Sequence, residues 1–226
     1  MNIICIYWHG DFRGRDFTGQ DVWRLLETVD KHMDRPYHFY CLTNDFKSKL
    51  PGEVIPLIHN WPGWWAKVEL HRPDLPVGRT LYLDLDTHII RSLNPILDYP
   101  GDLVMFNTKT AERKRQQVKY YRKNGLVWCY QASVMLFDPG TPVMKSLYEK
   151  FCTDPDKWMK IYRSEQDIMG DWMPDQPVFP DGWLLKLSDC RKIKEPGEDV
   201  IIITGQPNDT NFREPMYTPW LREMAR

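Results

Sequence analysis

Short apolar runs alternate with amphipathic stretches along this chain, and their order predicts an α/β fold. Residues 3–8 are almost wholly apolar and read as a buried strand. Val22, Leu25, Leu26, Val29 and Met33 then recur at helical spacing. That helix is expected to start between Thr18 and Asp21 and to stop before Pro36. Residues 37–43 read as a second strand, followed by a loop with Pro51, Pro56 and Pro62 and a short helix over 64–71. A third strand is expected over 80–85. The order β-α-β-loop-α-β predicts a mostly parallel, doubly wound sheet. Downstream, strands are expected at 103–106, 127–137, 184–187 and 200–203, and helices at 142–151 and 165–172. Residues 111–123 read as a polar helix or loop. No repeat, low-complexity tract or linker interrupts the chain, so 1–226 is read as one domain with a first half, 1–107, and a second, 108–226.

The segment 79–91, opening on Arg79 and closing on Arg91, carries the candidate chemistry. Its strand runs into Asp84 and Asp86. A carboxylate in a buried strand is costly unless it is paired, ionised for a purpose or bound to a metal. Ligands of open α/β sheets gather at the carboxyl ends of strands. Two acids there, one residue apart, suit a hard divalent cation carrying a phosphate. An Asp-rich chain yields about two Asp-x-Asp matches by chance, and a second, Asp154-Pro155-Asp156, is present. It has no strand before it, and Pro155 marks a turn or helix start. The competing reading of Asp84 and Asp86 is a strand-end turn with capping acids.

Composition narrows the partners. The formal net charge is −1, so no global field favours nucleic acid or acidic membranes. No run of about 18 apolar residues suggests a membrane span. The opening strand has no basic flank or cleavage site, so it does not read as a signal peptide. The 5 cysteines, Cys5, Cys41, Cys129, Cys152 and Cys190, are scattered and odd in number. They read as free thiols in a reducing, cytoplasmic setting. One local exception is the basic segment 109–123, which holds Arg113, Lys114, Arg115, Lys119, Arg122 and Lys123 beside Tyr120 and Tyr121. It reads as a solvated face or as a strip that tracks phosphates and stacks bases.

With these motifs in place, the chain resembles a family 8-type glycosyltransferase of the GT-A fold, Rossmann-like and compact as in bacterial and phage-type members. The resemblance spans nearly the whole chain. Trp8-His9-Gly10-Asp11 and the following loop with Arg13 and Arg15 resemble the family's nucleotide-contacting first loop. Phe39 to Asp45 resembles its second strand, with Asp45 as the uridine-side acid. Gly63-Trp64-Trp65-Ala66-Lys67 resembles its Trp-x-Lys helix, and Leu81 to Asp86 its metal-binding strand. Gln131-Ala132-Ser133-Val134-Met135 resembles the acceptor-side strand, with Gln131 and Ser133 facing the acceptor. Glu165-Gln166-Asp167 resembles the family's Asp-Gln-Asp helix start, and Ile201 to Pro207 its last strand and Gly-x-Pro turn at Gly205.

The resemblance implies a retaining transfer of a hexose from a UDP-sugar to an acceptor hydroxyl. Mn²⁺ or Mg²⁺ would be held by Asp84 and Asp86. Gln166 would sit at the anomeric carbon, with Glu165 and Asp167 on the sugar hydroxyls. Lys67, and Arg13 with Arg15, would reach the donor phosphates. The acceptor would be a saccharide or, given the basic segment, a hydroxymethylated DNA base. The expected setting is the cytoplasm of a bacterium or a phage-infected host. The family's last motif usually carries a metal-ligand His and a downstream Lys. Here Ile202 and Thr204 occupy the two registers for His, and Asn208 stands at the Lys position. The third metal oxygen would then come from Thr204, Asn208, Asp209 or water.

Two other readings compete. Haloacid dehalogenase-type phosphatases also use Asp-x-Asp after a strand. They need Thr or Val four residues after the first Asp, where this chain has His88, and they place the motif near the N-terminus. A sugar- or nucleic-acid-binding module with degenerate catalysis would explain the altered last motif.

Overall fold

The computed structural model describes residues 1–12, 17–107, 130–190 and 196–205. Arg13, Arg15, the basic segment 109–123, Cys129, Asn208 and Asp209 lie outside them. In chain order the elements are β1 (Asn2–Tyr7), α1 (Gly19–His32), β2 (His38–Thr43), β3 (Glu53–Pro56), a 3-10 segment (Gly63–His71), β4 (Thr80–Leu83), β5 (Thr87–Ile89), α2 (Asn94–Leu97) and β6 (Leu103–Asn107). Then follow β7 (Tyr130–Phe137), α3 (Pro142–Cys152), α4 (Pro155–Ile161), α5 (Glu165–Trp172), β8 (Leu184–Lys186), α6 (Leu187–Cys190) and β9 (Ile202–Thr204).

The central sheet has the order β3-β2-β1-β4-β7-β6. Strands β3, β2, β1 and β4 are mutually parallel, and β7 runs antiparallel to both β4 and β6. This is the mostly parallel, doubly wound α/β sheet the sequence predicts. The second half is not a separate body, because β7 is inserted between β4 and β6 of the first half. The chain leaves β1 on one side toward β2 and β3, then returns to β4 on the other. That reversal makes the carboxyl ends of β1 and β4 the topological switch point, where open α/β sheets hold ligands.

Strict alternation puts successive side chains on opposite faces. Ile3, Cys5 and Tyr7 of β1 pack with Val22, Leu25 and Val29 of α1. Ile4 and Ile6 face the other layer, with Trp65 and Val68 of the 3-10 segment, Phe151 of α3 and Ile168 of α5. Each buried α1 side chain contributes about 1.5–3 kcal/mol. The helix start, where Asp21 Oδ2 accepts from Thr18 N–H at 2.7 Å, adds about 1 kcal/mol. Burial of the apolar face therefore dominates in forming α1.

Several expectations are revised. Glu53–Pro56, expected as loop, forms edge strand β3, paired on one side to β2. Its proline hid it, yet Pro56 ends an edge strand, where a missing N–H costs little. The strand expected over 80–85 stops at Leu83, and Thr87–Ile89 joins a second sheet, β5-β9-β8. The helix expected over 64–71 is a 3-10 segment. It buries Trp65, Ala66, Val68, Glu69, Leu70 and His71, a nearly continuous run that no single α-helical face can present. The helix expected at 165–172 matches α5. Asp154 caps α4, accepting from Lys157 N–H at 3.1 Å, so the second Asp-x-Asp is a helix start.

Candidate active site

Because β1, β2 and β4 are parallel, Trp8, Asn44 and Asp84 emerge at one edge of the sheet. Between the ends of β1 and β4 lies a cleft of about 160 Å³. Lys67, Tyr82, Asp84 and Asp86 form its polar floor, and Trp8, Phe12, Phe17 and Trp64 form an aromatic wall. Gly63 makes that wall possible. Its φ is +58°, and a Cβ there would stand 2.0 Å from the Phe12 ring.

Asp84 is held on both oxygens. Tyr82 donates its hydroxyl to Oδ1, and Lys67 Nζ lies 2.9 Å from Oδ2. Lys67 also donates to Ala132 O at 3.2 Å and pairs with Glu165 Oε1 at 3.5 Å. The side chains of Lys67 and Glu165 are 13% and 4% exposed. Burial opposes charge on Lys67, but Asp84 and Glu165 outweigh it and hold the ammonium protonated. Lys67, expected at the donor phosphates, thus reaches the cleft with its charge already shared between two carboxylates. Tyr82 was missed in the sequence, although its place two residues before Asp84 puts both on one strand face.

Glu165 is a strongly perturbed acid. Burial pushes its carboxyl from an ordinary 4.5 up to about 7; Lys67 pulls it down and Asp84 pushes it up. Neither oxygen has a hydrogen bond among the described residues. A raised acid binds its proton more tightly folded than unfolded. Its stabilising contribution is full below about 4.5 and is lost as pH rises through 7. Glu165→Gln is therefore expected to flatten the stability decline between those values. Urea melts across that pH range check this: a wild-type slope unchanged in the variant would reject it.

A bulge in β7 braces the floor residues from behind. Met105 pairs with Met135, so Phe106 should face Val134, yet it pairs with Gln131. Residues 132–134 are therefore unmatched against β6, the kind of local bend that re-aims groups at active sites. Ser133 O accepts from Asp84 N–H at 2.9 Å. Ala132 N–H donates to Gln166 Oε1 at 3.2 Å. One bulge thus ties the β4 end, Lys67 and Gln166 together. The side-chain oxygens Gln131 Oε1 and Ser133 Oγ are buried there without hydrogen bonds among the described residues.

The other expected site residues are spread more widely. Asp86 lines the cleft, and its carbonyl accepts from Gly205 N–H at 3.0 Å, tying the last strand to the acidic turn. Thr204 faces Thr87 across β9 and β5, and both hydroxyls are buried without hydrogen bonds among the described residues. Asp167 is buried, and its Oδ2 accepts from Arg163 N–H at 3.1 Å at the start of α5. Asp45 caps a turn, accepting from Lys47 N–H at 2.9 Å and Ser48 N–H at 3.2 Å, and it does not line the cleft. His9 is exposed, with its backbone held by Asn44. Gly10 abuts the Trp8 ring.

Among the described residues no three His, Cys, Asp or Glu side chains converge as a complete metal cage. Two carboxylates at a cleft floor nevertheless suit Mg²⁺ or Mn²⁺, which complete their shells with substrate phosphate and water. The buried Thr204 hydroxyl, without a hydrogen bond among the described residues, lies on the strand that abuts Asp86.

No protein-family model matches this sequence, and no curated protein matches it in sequence. Solved structures do match. The galactosyltransferase LgtC, in complex with donor and acceptor sugar analogues, superimposes with a TM-score of 0.70 at 15% identity, over 100% of this chain and 95% of LgtC. The glycosyltransferase GlyE of Streptococcus pneumoniae TIGR4 gives 0.63 at 13% identity, over 99% of this chain and 58% of GlyE. The bifunctional glycosyltransferase WbbM gives 0.59 at 14% identity, over 98% and 50%. Identity this low establishes architecture, and the chain has the GT-A glycosyltransferase fold.

Proposed function

We propose that this protein is a retaining glycosyltransferase that moves a hexose from a UDP-sugar to an acceptor hydroxyl. The observation that carries the reading is the cleft at the switch point, where Asp84, Asp86 and Lys67 meet in a GT-A fold. The first half, 1–107, would bind the donor, and the second would face the acceptor. Asp84 and Asp86, with Thr204, Asp209 or water as a third oxygen, would hold Mn²⁺ or Mg²⁺. Such a cation supplies Lewis-acid stabilisation of charge on the departing diphosphate.

The remaining chemistry belongs to the chain. The bond from the anomeric carbon to the diphosphate oxygen breaks, and a bond to the acceptor oxygen forms on the same face. The acceptor proton passes to the departing diphosphate. Retention by double displacement needs a close nucleophile, as in retaining glycosidases. Gln166 is a poor one: an amide is weakly nucleophilic, and its oxygen already accepts from Ala132 N–H. A front-face route, with Gln166 holding the oxocarbenium-like sugar, fits better. Glu165 and Asp167 would bond its hydroxyls. The acceptor would be a saccharide or a hydroxymethylated DNA base.

A panel of nucleotide sugars, with manganese or with chelator, tests the proposal through released nucleotide. Metal-dependent release from one donor supports it. The altered last motif favours a second reading, a catalytically degenerate sugar- or nucleic-acid-binding module, which would release nothing from any donor. A phosphatase would instead cleave simple phosphate esters. Against it, the acidic pair follows β4 rather than the first strand.

A further inference from the structure

Behind the aromatic wall, three consecutive backbone N–H groups converge on one buried carboxylate. Ile58 N–H donates to Glu69 Oε2 at 2.7 Å, and His59 and Asn60 N–H donate to Oε1 at 3.0 and 3.1 Å. Arg72 adds a charge-assisted bond to Oε2 at 2.8 Å. Glu69 is fully buried, so losing it would leave several polar groups unmet at once. The loop held this way places Asn60 at φ +52°, the left-handed region that Asn and Gly tolerate best.

From that position Asn60 Oδ1 accepts two bonds, from Trp8 Nε1 at 3.0 Å and from Asn44 Nδ2 at 2.8 Å. Asn44 also clasps the end of β1. Its Oδ1 accepts from His9 N–H at 2.7 Å, and its Nδ2 donates to His9 O at 2.9 Å. The Trp8 ring lines the cleft. With its N–H committed to Asn60, the indole meets a ligand through its ring. Gly10 leaves the space for it, because a Cβ there would lie 2.2 Å from the ring.

We propose that Glu69, Asn60 and Asn44 are positioning residues that fix the Trp8 ring as the donor-side wall of the cleft, so that their integrity sets how tightly the nucleotide sugar is held. The proposal rests on the glycosyltransferase reading above. It assigns a role to three residues that touch neither the acidic pair nor Gln166, and it explains a buried carboxylate that the chemistry does not use.

Two substitutions at one position test the Asn60 acceptor, which serves both Trp8 and Asn44. Asn60→Gly keeps the left-handed backbone and deletes the acceptor. Asn60→Asp keeps an acceptor oxygen. A neutral hydrogen bond contributes about 0.5–1.5 kcal/mol, so Asn60→Gly is expected to raise the KM for the nucleotide sugar up to about tenfold with kcat little changed. Asn60→Asp should restore a KM near the wild-type value. In the Trp8→Phe background Asn60→Gly should raise KM by clearly less than it does alone, because one of the two bonds to Asn60 Oδ1 is already gone. Additive effects, or a wild-type KM in Asn60→Gly, would overturn the proposal. The Nε1–H signal of Trp8 in ¹⁵N-tryptophan-labelled protein, assigned by its loss in Trp8→Phe, gives a readout that needs no turnover. It should move in Asn60→Gly and hold in Asn60→Asp, and an unmoved signal in Asn60→Gly also overturns the relay. Wild-type protein that releases no nucleotide, with the signal moving as expected, would overturn the role in donor binding through failure of the function itself.

Discussion

Asp86→Asn is expected to abolish metal-dependent release of nucleotide while leaving the fold intact. The side chain is nearly isosteric, and the backbone of residue 86 is anchored independently by the bond from Gly205 N–H. The change removes one negative charge from a cleft floor where Asp84 is already shared with Lys67 and Tyr82. Asp84 alone, with one oxygen accepting from a hydroxyl and the other against an ammonium, is a poor hard-cation site. Charge stabilisation of the leaving group is worth several kcal/mol, and each 1.36 kcal/mol is tenfold in rate. A loss of about 10³-fold or more is therefore expected, with a melting temperature close to wild type. Nucleotide release and Mn²⁺ titration, monitored separately, check it. Wild-type Mn²⁺ binding and turnover in this variant would remove Asp86 from the site.

Lys67→Met is expected to be the most damaging single change to stability near the cleft. It deletes the cation that stands between Asp84 and Glu165 while leaving both carboxylates in place. Breaking a buried pair by removing one partner costs about 3–5 kcal/mol, because the remaining charge is uncompensated. For a chain of this size that is about 10 °C in melting temperature. Adding Glu165→Gln should recover part of the loss, since it removes one of the two stranded acids. Urea denaturation of the single and double variants measures the coupling. A cost below about 1 kcal/mol for Lys67→Met would mean that water reaches the cluster, and that Lys67 is available to the donor phosphates after all.

The order of elements was readable because burial imposes periodicity. The β1 run, the α1 stripe and the α5 boundaries follow from which faces must leave water. Edge strand β3 was hidden because it is short, mostly exposed and ends in proline. The short helix expected over 64–71 forms as a 3-10 helix, and its near-continuous burial erases the 3.6-residue signal that would mark its type. Asp84 and Asp86 were legible because acids at the end of an apolar strand are costly unless used. Asn60, Asn44 and Glu69 carry no such signal. Glu69 looks like any helix glutamate until the loop at 58–60 is folded against it.

The sequence by itself determined the α/β alternation, the helix starts at Thr18 and Glu165, and the acidic pair at the end of β4, since local patterns of polarity decide each. Only the tertiary structure decided that Lys67 would sit between Asp84 and Glu165, that the β7 bulge would bind Gln166, and that Asn60 would hold Trp8. Those contacts join residues 17 or more positions apart. Their energies depend on burial and on which donors are left unpaired, and both are set only when the sheet closes around them.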